Sequence, residues 1–440
     1  MRNPLQHTVV VDLGHGDAGK GTVVDHLCRS ADIHTVVRFN GGAQAGHNVV
    51  APDGRHHTFA QFGSGTLVPG VRTHLSRFML LDPLALATEA AHLAALGVAD
   101  PLARLTVDRR ALLTTPYHAA ANRHRERARG RDRHGSCGMG VGETAAHALA
   151  HPHDAPTAGD CAAPARLHAR LTLLRERLTA DLGLRAPLGP PVEDCVTAFL
   201  VFAEHTALTD DTHLTRLLRT ERVVLEGAQG VLLDEWHGFH PYTTWSTTTF
   251  ANAETLLGEA GRPGTALRLG VLRSYTTRHG PGPMVTEDPR LTAALPEPHN
   301  GHGPWQGAFR RGHFDAVAHR YALAVSGGAD ALALTHLDAP ARHPELSICE
   351  SYVLPGAERT LTEITDLPTG PPGDLDRQSR LTDRLLRARP GLTHTPGPDP
   401  AAWTEAVAAT LRTPVLLESH GPRTTDKRMP RPATTRAPLA

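Results

Sequence analysis

Nine residues, Gly14-His15-Gly16-Asp17-Ala18-Gly19-Lys20-Gly21-Thr22, constrain this chain more than any other stretch. They follow the apolar run Thr8 to Leu13 and open a helix-like segment that reaches Ser30. Strand, glycine loop and helix in that order make a phosphate cradle. Glycines let backbone N–H groups turn toward an anion, and the helix aims the positive end of its dipole at the same point. The spacing from Gly14 to Gly19-Lys20 is that of a Walker A loop, but the Ser or Thr that holds Mg²⁺ there is Gly21 here. Another group must then hold the metal. Asp17 is the candidate, because Mg²⁺ takes one or two carboxylates beside phosphate oxygens and water. Of the 45 basic side chains only Lys20 and Lys427 are lysine; the other 43 are arginine. A compact ammonium fits between phosphate oxygens where a planar guanidinium does not, which accounts for a lysine kept in this loop.

The charge balance, 45 basic against 45 acidic residues, gives no net field directed at nucleic acid or membrane, and small anionic substrates fit better. The 29 histidines are scattered, and pairs such as His56-His57 lack the Cys/His framework of a structural zinc site. Five dispersed cysteines point to reduced thiols. No stretch approaches 18 apolar residues, and Met1 to Gln6 carries no signal-like core, so the expectation is a soluble, cytoplasmic protein.

Along the chain, strand-like runs end repeatedly in glycine-rich or polar loops. Thr35 to Phe39 runs into Asn40 to Asn48, Val223 to Glu226 into Gly227-Ala228-Gln229-Gly230, Ala331 to Leu334 into Thr335-His336-Leu337-Asp338, and Val415 to Glu418 into Ser419-His420-Gly421-Pro422. In open parallel sheets such loops gather at the carboxyl ends of the strands, where ligands bind. Arg77 to Leu81 reads as another strand, Pro83 to Leu96 and Pro116 to Arg129 as helices, and Gly135 to Thr144 as a third glycine loop. Arg278 to Gly312 reads as a long functional loop whose Arg310-Arg311 forms a candidate clamp for carboxylate or phosphate. Each loop alone also fits an exposed turn. The alternation of strands and helices predicts a single large α/β domain on a mainly parallel central sheet over residues 1–422, with a flexible C-terminal tail over 423–440.

Six of these stretches, Gly16 to Gly21, Gly41 to His47, Glu226 to Gly230 with Leu233-Asp234, His237 to Tyr242, Tyr275 to Pro283 and Thr335 to Asp338, occur in one order that resembles adenylosuccinate synthetase. The resemblance implies a homodimeric, P-loop-like enzyme. It would use GTP and Mg²⁺ to phosphorylate the 6-oxygen of IMP and let the amino group of aspartate displace that phosphate. Carried onto this chain, Asp17 resembles the base and a metal ligand, His47 the acid beside the transferred phosphoryl group, Lys20 a phosphoryl contact, and Gly46 a carbonyl ligand to the metal. Gly16, Gly19 and Gly21 complete the GTP cradle. Asp338, Ser419, Gly421 and Pro422 resemble the guanine pocket, in which a carboxylate selects guanine over adenine.

The acceptor side departs from the family. Ser136-Cys137 stands for a Thr-Thr pair, Met139 for an arginine, and Gln44 for an asparagine, while Ala145 to His153 has no arginine. Gln44, Ser136, Cys137, Gln229 and Thr244 are the candidate acceptor contacts. The amine-substrate loop reads Gly303-Pro304-Trp305-Gln306-Gly307-Ala308-Phe309-Arg310-Arg311, with two arginines and two threonines gone. Trp305, Gln306, Ala308, Arg310 and Arg311 are its candidate contacts, and Trp305 with Phe309 is expected to make the pocket apolar. The reading is a GTP-dependent C–N ligase of specialised metabolism with an altered purine-like acceptor and an amine that need not be aspartate. The housekeeping reaction is the first alternative. A silent guanine-nucleotide binder is the second, disfavoured because a binder needs neither Asp17 nor His47.

Overall fold

The computed structural model describes residues 6–295, 297–355, 361–391 and 393–429. Its frame is a ten-stranded sheet built from β1 (His7–Asp12), β2 (Thr35–Arg38), β3 (Arg72–Leu75), β4 (Leu105–Asp108), β5 (Ala207–Thr209), β6 (Val223–Glu226), β7 (Ala266–Arg273), β8 (Ala331–Thr335), β9 (Val415–Ser419) and β10 (Lys427–Arg428). The spatial order is β10-β9-β8-β7-β1-β6-β2-β3-β4-β5. All pairings are parallel except β10 on β9, where Ser419 faces Lys427.

The central strands are β-branched and buried on both sides, as parallel strands covered by helices must be. In β1, Val9 and Val11 join a core with Leu225, Leu272 and Leu334, while Val10 points the other way against Val23 and Val24 of α1 (Lys20–Ser30). Each such side chain contributes about 2 kcal/mol when fully buried, so the two faces fix the register of β1 and the exit direction of its loop. The chain leaves β1 in one direction toward β2 and returns across it from β6 to β7. That crossing places the glycine loop at the switch point, over the carboxyl edge of the sheet.

Two helices expected from the sequence occur within a residue of their expected ends, Pro83–Ala95 and Pro116–Arg129. Both start with proline behind a capping Asp82 or Thr115. Other expectations shift. The strand read at Arg77 to Leu81 is β3, which starts five residues earlier, with only Leu80–Leu81 as a short second strand. The long loop at 278–312 is a hairpin, Thr276–His279 paired antiparallel with Phe309–Gly312, with the helix Pro289–Ala294 between its strands. The flexible tail expected from residue 423 is not what residues 423–429 form. Lys427 is buried and β10 pairs with β9, while residues 430–440 lie outside those described.

Candidate active site

The glycine loop is shaped from beneath by Asp12, at the end of β1. Its carboxylate accepts from the backbone N–H groups of Gly14, Gly16 and Ala18 at 2.8, 3.3 and 2.9 Å. It also takes one bond from Lys20 Nζ at 3.0 Å, and that ammonium donates again to the Gln229 carbonyl at 2.7 Å. The donors expected to face a phosphate are thus in part turned toward an internal anion. The loop sits close against its neighbours. A Cβ on Gly230 would lie 2.3 Å from Gly14 O, and one on Gly21 would lie 2.9 Å from the carbonyl carbon of His47. No Ser or Thr fits at position 21, which explains the missing Walker hydroxyl.

Asp17 stands in the left-handed region, φ 59°, and its carbonyl is held by Arg273 Nε at 2.6 Å. Arg273 is itself paired with Glu297, whose carboxyl would be raised by burial but is held at about 2, chiefly by that guanidinium. Desolvation pushes the Asp17 carboxyl up, while His279, Arg273 and Lys20 pull it down. His279 Nε2 lies 3.7 Å from Asp17 Oδ2.

His47 follows the second glycine loop. Its Nδ1 donates to Glu226 Oε1 at 2.6 Å. Burial would raise Glu226, but Arg38, His47 and Ser64 hold it at about 2. Burial takes the His47 ring down to about 4 against the pull of Glu226. The resting ring is therefore neutral, its proton fixed on Nδ1, and Nε2 is buried without a protein partner.

These groups share a cleft of about 980 Å³ lined by Gly16, Asp17, Lys20, Gln44, Gly46, His47, Ser136, Cys137, Gln229, Thr244 and Gln306, all expected site residues. Buried polar atoms are nearly always hydrogen-bonded, so unpaired ones in the lining of a cleft are open to a ligand. Besides His47 Nε2, both amide atoms of Gln44, Gln229 Oε1 and His279 Nδ1 are unpaired in this lining. At the acceptor loop, Ser136 Oγ and the Asn122 side chain exchange hydrogen bonds at 3.0 and 3.2 Å.

The expected guanine residues Asp338, Ser419, Gly421 and Pro422 do not line that cleft; they follow or end β8 and β9, near Thr22 of α1. Thr22 Oγ1 donates to Pro422 O at 3.2 Å, Ser419 Oγ to Gly421 O at 3.2 Å, and Lys427 Nζ to Gly421 O at 3.0 Å. Asp338 lies at the end of β8, beside β9, and accepts from Arg342 at 2.6 Å. Gly19 packs on Thr335, whose hydroxyl donates to Ala18 O, tying the end of β8 to the glycine loop.

The amine loop differs from expectation. Arg310 gives its guanidinium to the carbonyls of Gly280 and Gly282, at 3.0 and 2.8 Å, and to Glu287. Arg311 is spent on the Thr292 carbonyl. Neither lines the cleft, nor do Ala308, which is exposed, Trp305 or Phe309. Trp305 lies under Arg123 and Arg127 and fills the space beside Gly138, and Phe309 packs between His279 and Arg273. The clamp and the apolar pocket read from the sequence are therefore absent. An arginine pair in a loop looks like a clamp until its hairpin partner is known.

Asp17 and Gly46, the expected Mg²⁺ ligands, line one cleft, and a carboxylate with a backbone carbonyl is an oxygen donor set of the kind Mg²⁺ takes.

Comparison with known proteins agrees with this geometry. The adenylosuccinate synthetase family profile matches residues 9–369. Adenylosuccinate synthetase from Trichormus variabilis is 32% identical over 360 residues, covering 80% of this chain and 78% of that protein. The enzyme from Mycobacteroides abscessus is 34% identical over 353 residues, 79% and 80% of the two chains. The fully ligated adenylosuccinate synthetase of Plasmodium falciparum superposes with a TM-score of 0.81 at 19% identity, over 97% of this chain and all of that one. Cyanophage S-2L succinoaminodeoxyadenylate synthetase, bound to dGMP and dATP, gives 0.59 at 17% identity over 97% and 96%. The chain belongs to the adenylosuccinate synthetase family, ligases that form C–N bonds.

Proposed function

We propose that this protein uses GTP to phosphorylate an oxo group of a purine-like nucleotide or related acceptor, and that an amine then displaces the phosphate, in specialised metabolism. The observation that carries the reading is the convergence of Asp17, Lys20, Gln229 and the unpaired His47 Nε2 on one cleft. Asp17 and the Gly46 carbonyl would hold Mg²⁺, which supplies charge neutralisation on phosphate oxygens when bound. Asp17, its carboxyl raised by desolvation, is suited to take a proton from the acceptor. His47, fixed by Glu226, presents Nε2 to the phosphoryl group; the negative charge arriving there favours the imidazolium, which then donates. Lys20, held by Asp12 and Gln229, keeps one ammonium proton for a phosphoryl oxygen. Asp338, just past the end of β8, would read the guanine edge.

The rebuilt acceptor loop supports a changed substrate: Ser136 is engaged by Asn122, and no arginine of 310–311 reaches the cleft. The reaction on IMP and aspartate is the second reading, favoured by relatives named for it at 32–34% identity. A soluble cytoplasmic homodimer completes the proposal; no helix among the described residues is long and apolar enough to cross a membrane.

The test is phosphate release from GTP and Mg²⁺ with IMP and aspartate, beside a melting scan. Turnover selects the second reading. No turnover with GTP-induced stabilisation, about 3 kcal/mol at a hundredfold ligand excess, supports a changed acceptor. No response to GTP at all refutes both.

A further inference from the structure

Tryptophan is on average a mostly buried residue. Of the four in the chain, Trp245 alone lines the cleft among the described residues, and it is 44% exposed. Trp403 is fully buried, Trp305 lies under Arg123 and Arg127, and Trp236 stands outside the lining, near Gly373. The loop that carries Trp245 is pinned on both sides. Thr244 N donates to Leu233 O at 2.8 Å, and Glu235 N to Ser246 O at 3.3 Å. Ser246 Oγ accepts from Asn40 Nδ2 and from Gly41 N, both at 3.2 Å. The indole edge rests against Gly142, in the first turn of the helix Val141–Ala150; a Cβ there would stand 3.2 Å from the indole Cδ1. Val141 and Ala146 of the same helix also line the cleft.

One cleft thus holds a polar set, Asp17, Lys20, Gln44, His47 and Gln229, and a flat apolar surface on a pinned loop. A side chain with two rotatable bonds on a fixed backbone loses little freedom when a ligand covers it. A flat π system gains from an indole face beyond the area it covers, because the two rings stack offset. We infer that Trp245 is an acceptor-binding residue, on which a flat heteroaromatic ring of the acceptor stacks while its oxo group meets Asp17 and His47. The inference rests on the ligase reading above, which makes the occupant of the cleft an oxo acceptor. It also gives the cleft the apolar aromatic surface that Trp305 and Phe309 do not supply.

The test adds IMP, inosine or ribose 5-phosphate to the full chain with GDP and Mg²⁺, read by tryptophan fluorescence and by calorimetry. The first two probes carry a flat ring and the third does not. IMP and inosine are expected to quench the wild type saturably, and ribose 5-phosphate is not. Trp245→Ala is expected to weaken IMP roughly tenfold or more, and Trp245→Phe, which keeps a flat face, by less than about threefold. The affinity for ribose 5-phosphate, which a general loosening of the loop would lower, is expected to be equal in all three proteins. The inference is overturned if neither ring-bearing probe binds the wild type. It is also overturned if Trp245→Ala keeps wild-type IMP affinity, or loses ribose 5-phosphate in the same proportion. A change of oligomeric state in Trp245→Ala with IMP affinity kept places the indole between two copies of the chain instead. A wild type that holds IMP on Trp245 but shows no melting response to GTP fails the ligase reading and keeps the ring site.

Discussion

Acid should unfold this protein early, through histidines that have no part in the chemistry. His74, His118 and His319 are 0, 1 and 3% exposed. Nε2 of His74 and of His118 lacks a partner, and His319 Nδ1 donates to Leu13 O at 3.2 Å. Burial lowers the first two to about 3 and the third to about 4. In the fold the rings stay neutral, while the unfolded chain takes up protons below about pH 6.5, so stability falls from there until the folded values are reached. At pH 5 each ring withdraws about 2 kcal/mol, roughly 6 together. Asp315 works the other way. Burial lifts it to about 6 despite the Tyr352 hydroxyl shared between its two oxygens, so it gains a proton in the fold first and returns about 1 kcal/mol. The net loss of about 5 kcal/mol is a large share of a typical total of 5–15. Urea unfolding between about pH 7.5 and pH 5 should show it, and His74→Gln should remove about 2 kcal/mol of the loss. Equal stability at the two ends of that range refutes the burial argument.

Four further outcomes are expected. Asp17→Asn should abolish phosphate release while GTP still raises the melting temperature; near-normal rates would remove the base assignment. Glu226→Gln should lower kcat about a hundredfold with little change in the KM for GTP, because the ring loses its fixed tautomer; an equal loss in the KM would place Glu226 in nucleotide binding instead. Asp338→Asn should reduce the preference for GTP over ATP in competition binding, and unchanged discrimination excludes Asp338 from the base pocket. Gly230→Ala, whose Cβ would meet Gly14 O at 2.3 Å, should weaken GTP binding while far-ultraviolet circular dichroism stays the same. Wild-type affinity in that variant shows that the loop can yield.

What could be read from the sequence depended on how local the signal was. Asp17, Lys20, His47 and Gln229 stand in contiguous loops, so their convergence followed once each loop was placed at the carboxyl end of a strand. Glu226 was visible as part of a motif but had no role, because the atom it serves lies 179 residues away. Asp12 gave no signal at all. An acid ending an apolar strand means nothing until the next loop folds back over it. The strands β4 and β5 went unread because they are short, edgeward and mixed in polarity. Lys427, read as part of a tail, is buried where it donates to Gly421 and Arg423 carbonyls.

Because Asp12 supplies the negative charge that three loop amides seek, the protein itself fixes the shape of the loop. The freedom of those residues is surrendered once, while the polypeptide folds. On the proposed function, a triphosphate would meet a preformed mould and give up little affinity to organising it.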